Sequence, residues 1–314
     1  MNIGMKTVCK TLLAHDNILI ITHQSPDGDT LGSGFALYYG LSQLGKRARV
    51  VCSDEFPPRY DFLFEGYAGE EFEPDFVVAV DLADKQLFGA KYSPLADKVD
   101  LCIDHHPSNT RYARQLLLKP KAAATCEIMY EVLKGMGVKF DERIGTCIYT
   151  GIATDTGCFR FSNTTANSHR IAARMMQCEV KIGKINRLMF ETKTQSRIAI
   201  EQQVLSSIEY YFDRRCAVIS ITKQMLQSSG AAESELEGLS TLPRQIEGVQ
   251  IGVMLREKDS GEFKVSMRTN EGFDASKICG LLGGGGHVKA AGCIVEGGLE
   301  HAKKTVIDTI ARFV

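Results

Sequence analysis

The sequence predicts an α/β protein, with an N-terminal parallel-sheet domain followed by a smaller mixed α/β domain. Three observations predict it. Apolar, β-branched runs at residues 17–22, 76–80 and 99–103 are short and continuous, as strands buried on both faces are. Helix-periodic stretches separate several such runs, as a parallel sheet requires. Beyond residue 212 the texture changes to alternating strands and a hairpin signal.

Taken in order, residues 8–14 read as the end of a leading helix and 17–22 as the first strand. That strand ends in His23-Gln-Ser-Pro-Asp27-Gly-Asp29, which opens a helix over 31–44, closed by Gly45. Residues 49–52 begin a second strand. The third, 76–80, ends in Asp81-Leu-Ala-Asp84, and the fourth, 99–103, in Asp104-His105-His106. Helices follow over 122–133 and 142–153, the second running into a turn, Thr154-Asp155-Thr156-Gly157. Residues 168–178 and 182–190 are further helices, and the polar stretch 191–210 reads as a linker helix. Strands at 216–221, 250–255 and 262–267 follow, the last two flanking Arg256-Glu-Lys-Asp259-Ser-Gly261, a hairpin signal. A helix over 273–282 stops at four glycines and His287; a strand at 291–295 and an amphipathic helix over 299–313 complete the chain. The expected domains are 1–190, a linker over 191–212, and 213–314.

Composition narrows the function. A chain of 314 residues exceeds one ordinary core. A net charge of -1 argues against a broad grip on long nucleic acid, while leaving room for a local basic groove, so any such substrate should be short or held by few phosphates. No apolar run approaches the roughly 20 residues of a membrane span, and the first ten residues lack a signal peptide's pattern. Ten scattered cysteines without a Cys-x-x-Cys pair read as reduced thiols, neither disulfides nor a zinc cage. The expected compartment is the cytoplasm.

In an open parallel sheet the carboxyl ends of the strands share one edge, where ligands bind. His23, Asp27, Asp29, Asp81, Asp104, His105 and His106 would converge there. His105 and His106, adjacent on extended chain, would face opposite sides. Asp27, Asp29, Asp84 and Asp155 also stand where aspartate caps helices or makes turns, but capping leaves the histidines unexplained. Hard oxygens with a minority of nitrogens suit manganese or magnesium better than zinc. The donors exceed what one ion needs. Two ions about 3.5–4 Å apart clamp the attacking and leaving oxygens of a displacement at phosphorus, which gives metal-dependent phosphoester hydrolysis.

These motifs resemble those of the DHH phosphoesterases: His23-x-x-x-Asp27-x-Asp29, Asp81, Asp104-His105-His106, and Thr154-Asp155-Thr156-Gly157. Ser266-Met267-Arg268, glycines 283–286, His287 and Ala290-Ala291-Gly292 resemble the DHHA1 domain. Size and layout are similar to the stand-alone oligoribonucleases (nanoRNases) that also dephosphorylate 3′-phosphoadenosine 5′-phosphate (pAp). The resemblance implies one manganese on His23, Asp27 and Asp81, and another on Asp29, Asp81, His105 and Asp155, with Asp81 bridging. Magnesium is the alternative ion. It implies that His106 faces the substrate phosphate and assists the leaving oxygen while Asp104 orients a histidine. Arg268 with Gly284, Gly285, Gly286 and His287 would clamp a nucleotide, and a homodimer is left open. The chain departs from the family at Leu87, six residues after Asp81, where members often carry arginine.

The chain has no Trp, so a base must stack on another flat side chain. Phe159 and Arg160 are the sequence candidates, while His15, His169 and His301 have no acidic or glycine-rich company. Two other readings stay open. One is a cyclic- or linear-dinucleotide phosphodiesterase on the same scaffold. The other is a non-catalytic nucleotide-binding module, which would be expected to lack a ligand position; none is missing.

Overall fold

In the computed structural model, which describes residues 1–314, helix α1 (Met5–Ala14) leads into strand β1 (Ile18–Ile21). There follow α2 (Gly28–Gln43), β2 (Ala48–Val51), β3 (Phe76–Val80) and the single turn α3 (Gly89–Tyr92). Next come β4 (Leu101–Asp104), β5 (Gln115–Leu118), α4 (Thr125–Gly135), α5 (Glu142–Asp155) and α6 (Ala166–Met176). Helix α7 (Ile182–Asn186) and a π-helical turn, Arg187–Glu191, end the first of two units, Met1–Thr192.

The first unit's sheet runs β2-β1-β3-β4-β5 and is parallel throughout. The order reverses between β1 and β3, and a crevice opens beyond their carboxyl ends. Strand β5 was not legible in the sequence. It is four residues long and built on leucine, which lacks the β-branched signature, within Arg-Gln-Leu-Leu-Leu-Lys. Alternation along the strands splits the core in two layers. Ile18, Ile20, Val78, Leu101 and Ile103 pack on one face with Phe35 of α2, Met129 of α4 and Ile148 of α5. Leu19, Ile21, Val77, Ala79 and Cys102 pack on the other with Phe88, Ala96 and Val99.

Helices α2 and α5 approach through small residues. A Cβ on Gly32 would stand 2.5 Å from the Cys147 carbonyl oxygen, and one on Gly151 2.7 Å from Asp29 Oδ1. Glycine at 151 leaves room for the Asp29 carboxylate. Asp141 caps α5 by accepting from the Ile144 N–H at 3.0 Å.

The second unit, Lys193–Val314, starts with α8 (Gln195–Ser206), β6 (Glu209–Tyr211), β7 (Cys216–Ile221) and α9 (Lys223–Ser229). The stretch read as one helix over 191–210 is thus a π turn, a shorter helix and an edge strand. Its Ile200 and Val204 are buried with Ile219 and Ile221. Then come β8 (Ile251–Glu257), β9 (Phe263–Thr269), α10 (Ala275–Gly280), β10 (Gly285–His287), β11 (Ala290–Val295) and α11 (Leu299–Ile310). The sheet order is β10-β11-β9-β8-β7-β6, antiparallel except between β7 and β8. Helices α10 and α11 cover one face through Ile278, Ala302, Val306 and Ile310. No helix is long and apolar enough to cross a membrane, and all ten cysteines are free thiols.

Candidate metal centre

Four elements of the first unit end at one crevice. His23 follows β1, Asp81 follows β3, Asp104 ends β4 with His105 and His106 after it, and Asp155 ends α5. Asp155 is the last helical residue, not part of the turn read from the sequence. Asp27 and Asp29 sit at the start of α2.

Donor atoms gather in three overlapping sets: His23, Asp27 and Asp81; Asp29, His105 and Asp155; and Asp81, His105 and His106. Asp81 lies between the histidines. Its Oδ2 is 3.7 Å from His23 Nε2, and its Oδ1 is 3.7 Å from His105 Nε2. His105 Nε2 is also 3.4 Å from Asp155 Oδ2, and His23 Nε2 is 3.7 Å from Asp27 Oδ1. Most of these gaps are too long for good hydrogen bonds. Two donors each about 2.1 Å from one ion stand roughly 3–4 Å apart, so the spacing suits a shared cation.

The ring orientations point the same way. His23 Nδ1 is 2.7 Å from the Gln24 carbonyl, and His105 Nδ1 is 3.1 Å from the Ala122 carbonyl. Each Nδ1–H donates to a backbone oxygen, which leaves the Nε2 lone pair facing the carboxylates. That is how ligating histidines are held. Asp27 fills both roles considered for it. Its Oδ1 caps α2 by accepting from the Asp29 and Thr30 N–H groups at 3.0 and 3.1 Å, while the carboxylate also faces His23. Asp84, by contrast, only caps the short turn after it, accepting from Gln86 N–H at 2.8 Å.

The carboxylates are crowded. Burial, with the charges of Asp81, Asp155 and Asp27, pushes the Asp29 carboxyl well above its usual range. Burial and the Asp27 charge likewise raise Asp81. Burial and Asp81 push Asp155 up to about 7. Such groups hold protons unless positive charge replaces them, and a divalent cation meets that need.

His106 is held differently. Its Nδ1 is 2.8 Å from Asp104 Oδ1, and that hydrogen bond, against the effect of burial, raises the imidazole to about 9. Asp104 is fully buried. Burial alone would raise its carboxyl, but hydrogen bonds from His106 and from Asn109 Nδ2, the latter at 2.6 Å, hold it below its usual range.

The sequence reading missed the N-terminus of α4. Thr125 N–H donates to Asp29 Oδ2 at 2.6 Å and Cys126 N–H to Asp29 Oδ1 at 2.9 Å. Thr125 Oγ1 donates to Asp81 Oδ1 at 2.8 Å. A helix N-terminus favours negative charge, so it offsets part of the crowding. The signal was faint: one threonine before an apolar helical run. Leu87, at the position of the family's arginine, packs at the edge of the second core layer, and its carbonyl accepts from Gln24 N–H at 2.7 Å.

In the second unit, the register aligns Arg268 of β9, Ala290 of β11 and His287 of β10 across neighbouring strands. Opposed residues share a face, so the small Ala290 lies between Arg268 and His287, whose Cα atoms are two strand spacings, roughly 10 Å, apart. Of the glycines, Gly284 and Gly286 are needed by the backbone. Cβ atoms there would collide with Gly292 and Cys293, or stand 2.6 Å from the Ala290 carbonyl oxygen, and Gly286 has φ +145°. Gly285 faces open space.

Phe159 is turned into packing, its ring 5.1 Å from that of His169 and 5.9 Å from that of Tyr149. Arg160 Nε donates to the Gly157 carbonyl at 2.7 Å. The exposed ring is instead that of Phe161.

Comparison with known proteins accords with this layout. The family model described as DHH family, N-terminal domain, matches residues 17–152, and that of the DHHA1 domain matches residues 217–314. The bifunctional oligoribonuclease and PAP phosphatase NrnA of Thermus thermophilus is 35% identical, over 98% of this chain and 93% of its own. The protein of the same name from Bacillus subtilis is 26% identical, over 93% of each chain. A solved exopolyphosphatase-related protein from Bacteroides fragilis superposes with a TM-score of 0.86 at 24% identity, covering 98% of this chain and 96% of its own. With both modules in that order and a full-length relative at this identity, the chain belongs to the DHH family.

Proposed function

We propose that this chain is a metal-dependent phosphoesterase acting on very short oligoribonucleotides and on pAp. The observation that carries the reading is the Asp81 carboxylate, set between His23 Nε2 and His105 Nε2 at 3.7 Å each, with both histidines oriented by backbone carbonyls. The names of the Thermus and Bacillus relatives, oligoribonuclease and PAP phosphatase, support this substrate class.

On this reading His23, Asp27 and Asp81 hold one ion, and Asp29, Asp81, His105 and Asp155 hold the other. The oxygen-rich donor set favours manganese, with magnesium as the alternative. When bound, the ions supply Lewis acidity at the phosphoryl group and a water acidified toward neutral pH. Asp81 fixes the spacing of the two donor sets. Thr125 and the α4 N-terminus hold Asp81 and Asp29 in place. Asp104 fixes the His106 ring by its Nδ1, leaving Nε2 to donate a proton to the leaving oxygen. In the second unit, Arg268 and His287, on either side of Ala290, would offer a phosphate their side chains, with Gly285 and Gly286 allowing close approach beside them, while the Gly284 N–H already donates to the Cys279 carbonyl at 2.9 Å. The reduced thiols fit a cytoplasmic setting.

The test is incubation with manganese and end-labelled RNAs from dinucleotides to about a dozen residues, alongside pAp, a cyclic dinucleotide and a chelator control. Release of mononucleotides from the shortest RNAs and of phosphate from pAp, both lost with chelator, is the expected result. Turnover of the cyclic dinucleotide alone would reassign the chain to signalling-nucleotide hydrolysis. No turnover with metal bound would leave a binding module.

A further inference from the structure

Helix α5 ends at Asp155, and the chain then takes three consecutive left-handed residues: Gly157 at φ +56°, Cys158 at +60° and Phe159 at +62°. Two of them are not glycine, so the turn is strained, and such strain is kept where the surroundings enforce it. Cys158 N–H donates to the Ala153 carbonyl at 2.7 Å, Phe159 N–H to Thr156 Oγ1 at 3.0 Å, and Phe161 N–H to the Thr156 carbonyl at 3.0 Å. Asn163 Nδ2 ties the far side of the turn to the Asp155 and Ala123 carbonyls at 3.1 and 3.2 Å.

The product of this turn is the placement of one ring. Phe161 lies across Gly157, where a Cβ would stand 2.5 Å from its Cε1. Glycine at 157 lets the ring lie against the backbone there. The ring is nonetheless 56% exposed, the most exposed of the chain's 15 phenylalanines. A flat apolar face is thus exposed six residues after the Asp155 carboxylate, on a turn that Asn163 ties to the Asp155 and Ala123 carbonyls. The same turn sets the half-buried Phe159 against Tyr149 and His169 instead.

We propose that Phe161 is a stacking platform for a nucleobase of the ligand whose phosphate lies at the crevice. The inference deepens the proposed function and rests on it for the identity of the ligand. A base offers a π-face of any sequence, so an aromatic ring held rigidly beside a phosphate site recognises nucleotides without reading their order. Because packing on Gly157 already fixes the ring, little freedom is lost on binding. In a chain without Trp, no larger ring competes for the role.

The experiment measures binding of adenosine 5′-monophosphate and of ribose 5-phosphate, with manganese present, to the full chain and to its Phe161→Leu and Phe161→Trp variants. Leucine keeps the apolar cover over Gly157 and removes the flat face. Expected are tighter binding of the adenosine ligand than of the sugar phosphate by the unaltered chain, and an affinity for it about ten-fold lower in Phe161→Leu. Phe161→Trp should retain it, and ribose 5-phosphate should bind all three alike. Equal affinity of the unaltered chain for both ligands, or equal losses for both in Phe161→Leu, would overturn the platform. If base-dependent binding is lost in Phe161→Leu while no phosphoester is cleaved, the platform stands and the proposed reaction fails.

Discussion

Thr125 Oγ1 donates to Asp81 Oδ1 at 2.8 Å, while its own backbone N–H donates to Asp29. One residue at the start of α4 therefore orients two carboxylates from different elements. Removing the hydroxyl in Thr125→Val should weaken manganese binding by about 10–100-fold. Thr125→Ser should restore most of it. Titration calorimetry checks both, and an unchanged affinity in Thr125→Val would remove this threonine from the site.

Asp81 has φ +55°, a conformation that asparagine tolerates at least as well as aspartate. Asp81→Asn should thus keep the backbone while losing the charge shared by the two donor sets. Metal-dependent turnover should vanish. In chelator the variant should melt above the unaltered chain, because a buried charge among like charges is gone. Near-normal activity would sink the two-ion assignment.

His106 should separate chemistry from metal binding. His106→Gln removes the proton donor held by Asp104, and kcat should fall by about 10²–10⁴. Manganese affinity should change little. A parallel loss of both would instead make His106 a ligand.

The acid cluster gives the metal-free protein a pH signature. Asp155 is raised to about 7, chiefly by burial and by Asp81. A carboxyl raised in the folded state stabilises it below the unfolded pKa of about 3.9, and that contribution is lost as pH rises through about 7. His106, raised to about 9 by its bond to Asp104, loses its contribution over a higher window, from about 6.5 to about 9. Both signs agree. In chelator, melting temperature should fall between about pH 5 and 8. Saturating manganese should reverse the trend, since ionised carboxylates bind it better. A flat profile in chelator would show that the carboxylates are not crowded in solution.

The glycines of the second unit should divide by cause. Gly284→Ala places a methyl group against Gly292 and Cys293 and should destabilise the chain by about 1–3 kcal/mol. Gly285→Ala meets nothing and should fold normally. If the run receives a nucleotide, Gly285→Ala should still weaken its binding. Thermal melts and binding of pAp compare the two.

Much of the first unit was legible because its strands announce themselves twice. Each is a continuous apolar run, and β1, β3 and β4 each lead directly into a polar group the core would not choose. His23, Asp81 and Asp104 therefore marked both the strand ends and the site. What stayed hidden depends on backbone. The carbonyls of Gln24 and Ala122 set the histidine tautomers, and the α4 N–H groups hold Asp29, yet no side-chain pattern encodes either. Strand β5 escaped because four residues of mixed character carry too little periodicity. Phe159 and Phe161 differ only in which way a strained turn points them, and periodicity does not register left-handed residues.

The donors of the crevice come from chain positions 23 to 155, and no short segment holds a complete set. His23, Asp27 and Asp81 are complete once β3 is made, but Asp29 and His105 must await α5 for Asp155. A chain growing from its N-terminus could gather the two ions only in sequence, with the second arriving after almost half the residues are made. Completion of the second donor set would then follow the arrival of α5, and a nascent chain stalled before α5 would have no means to cut phosphoesters prematurely.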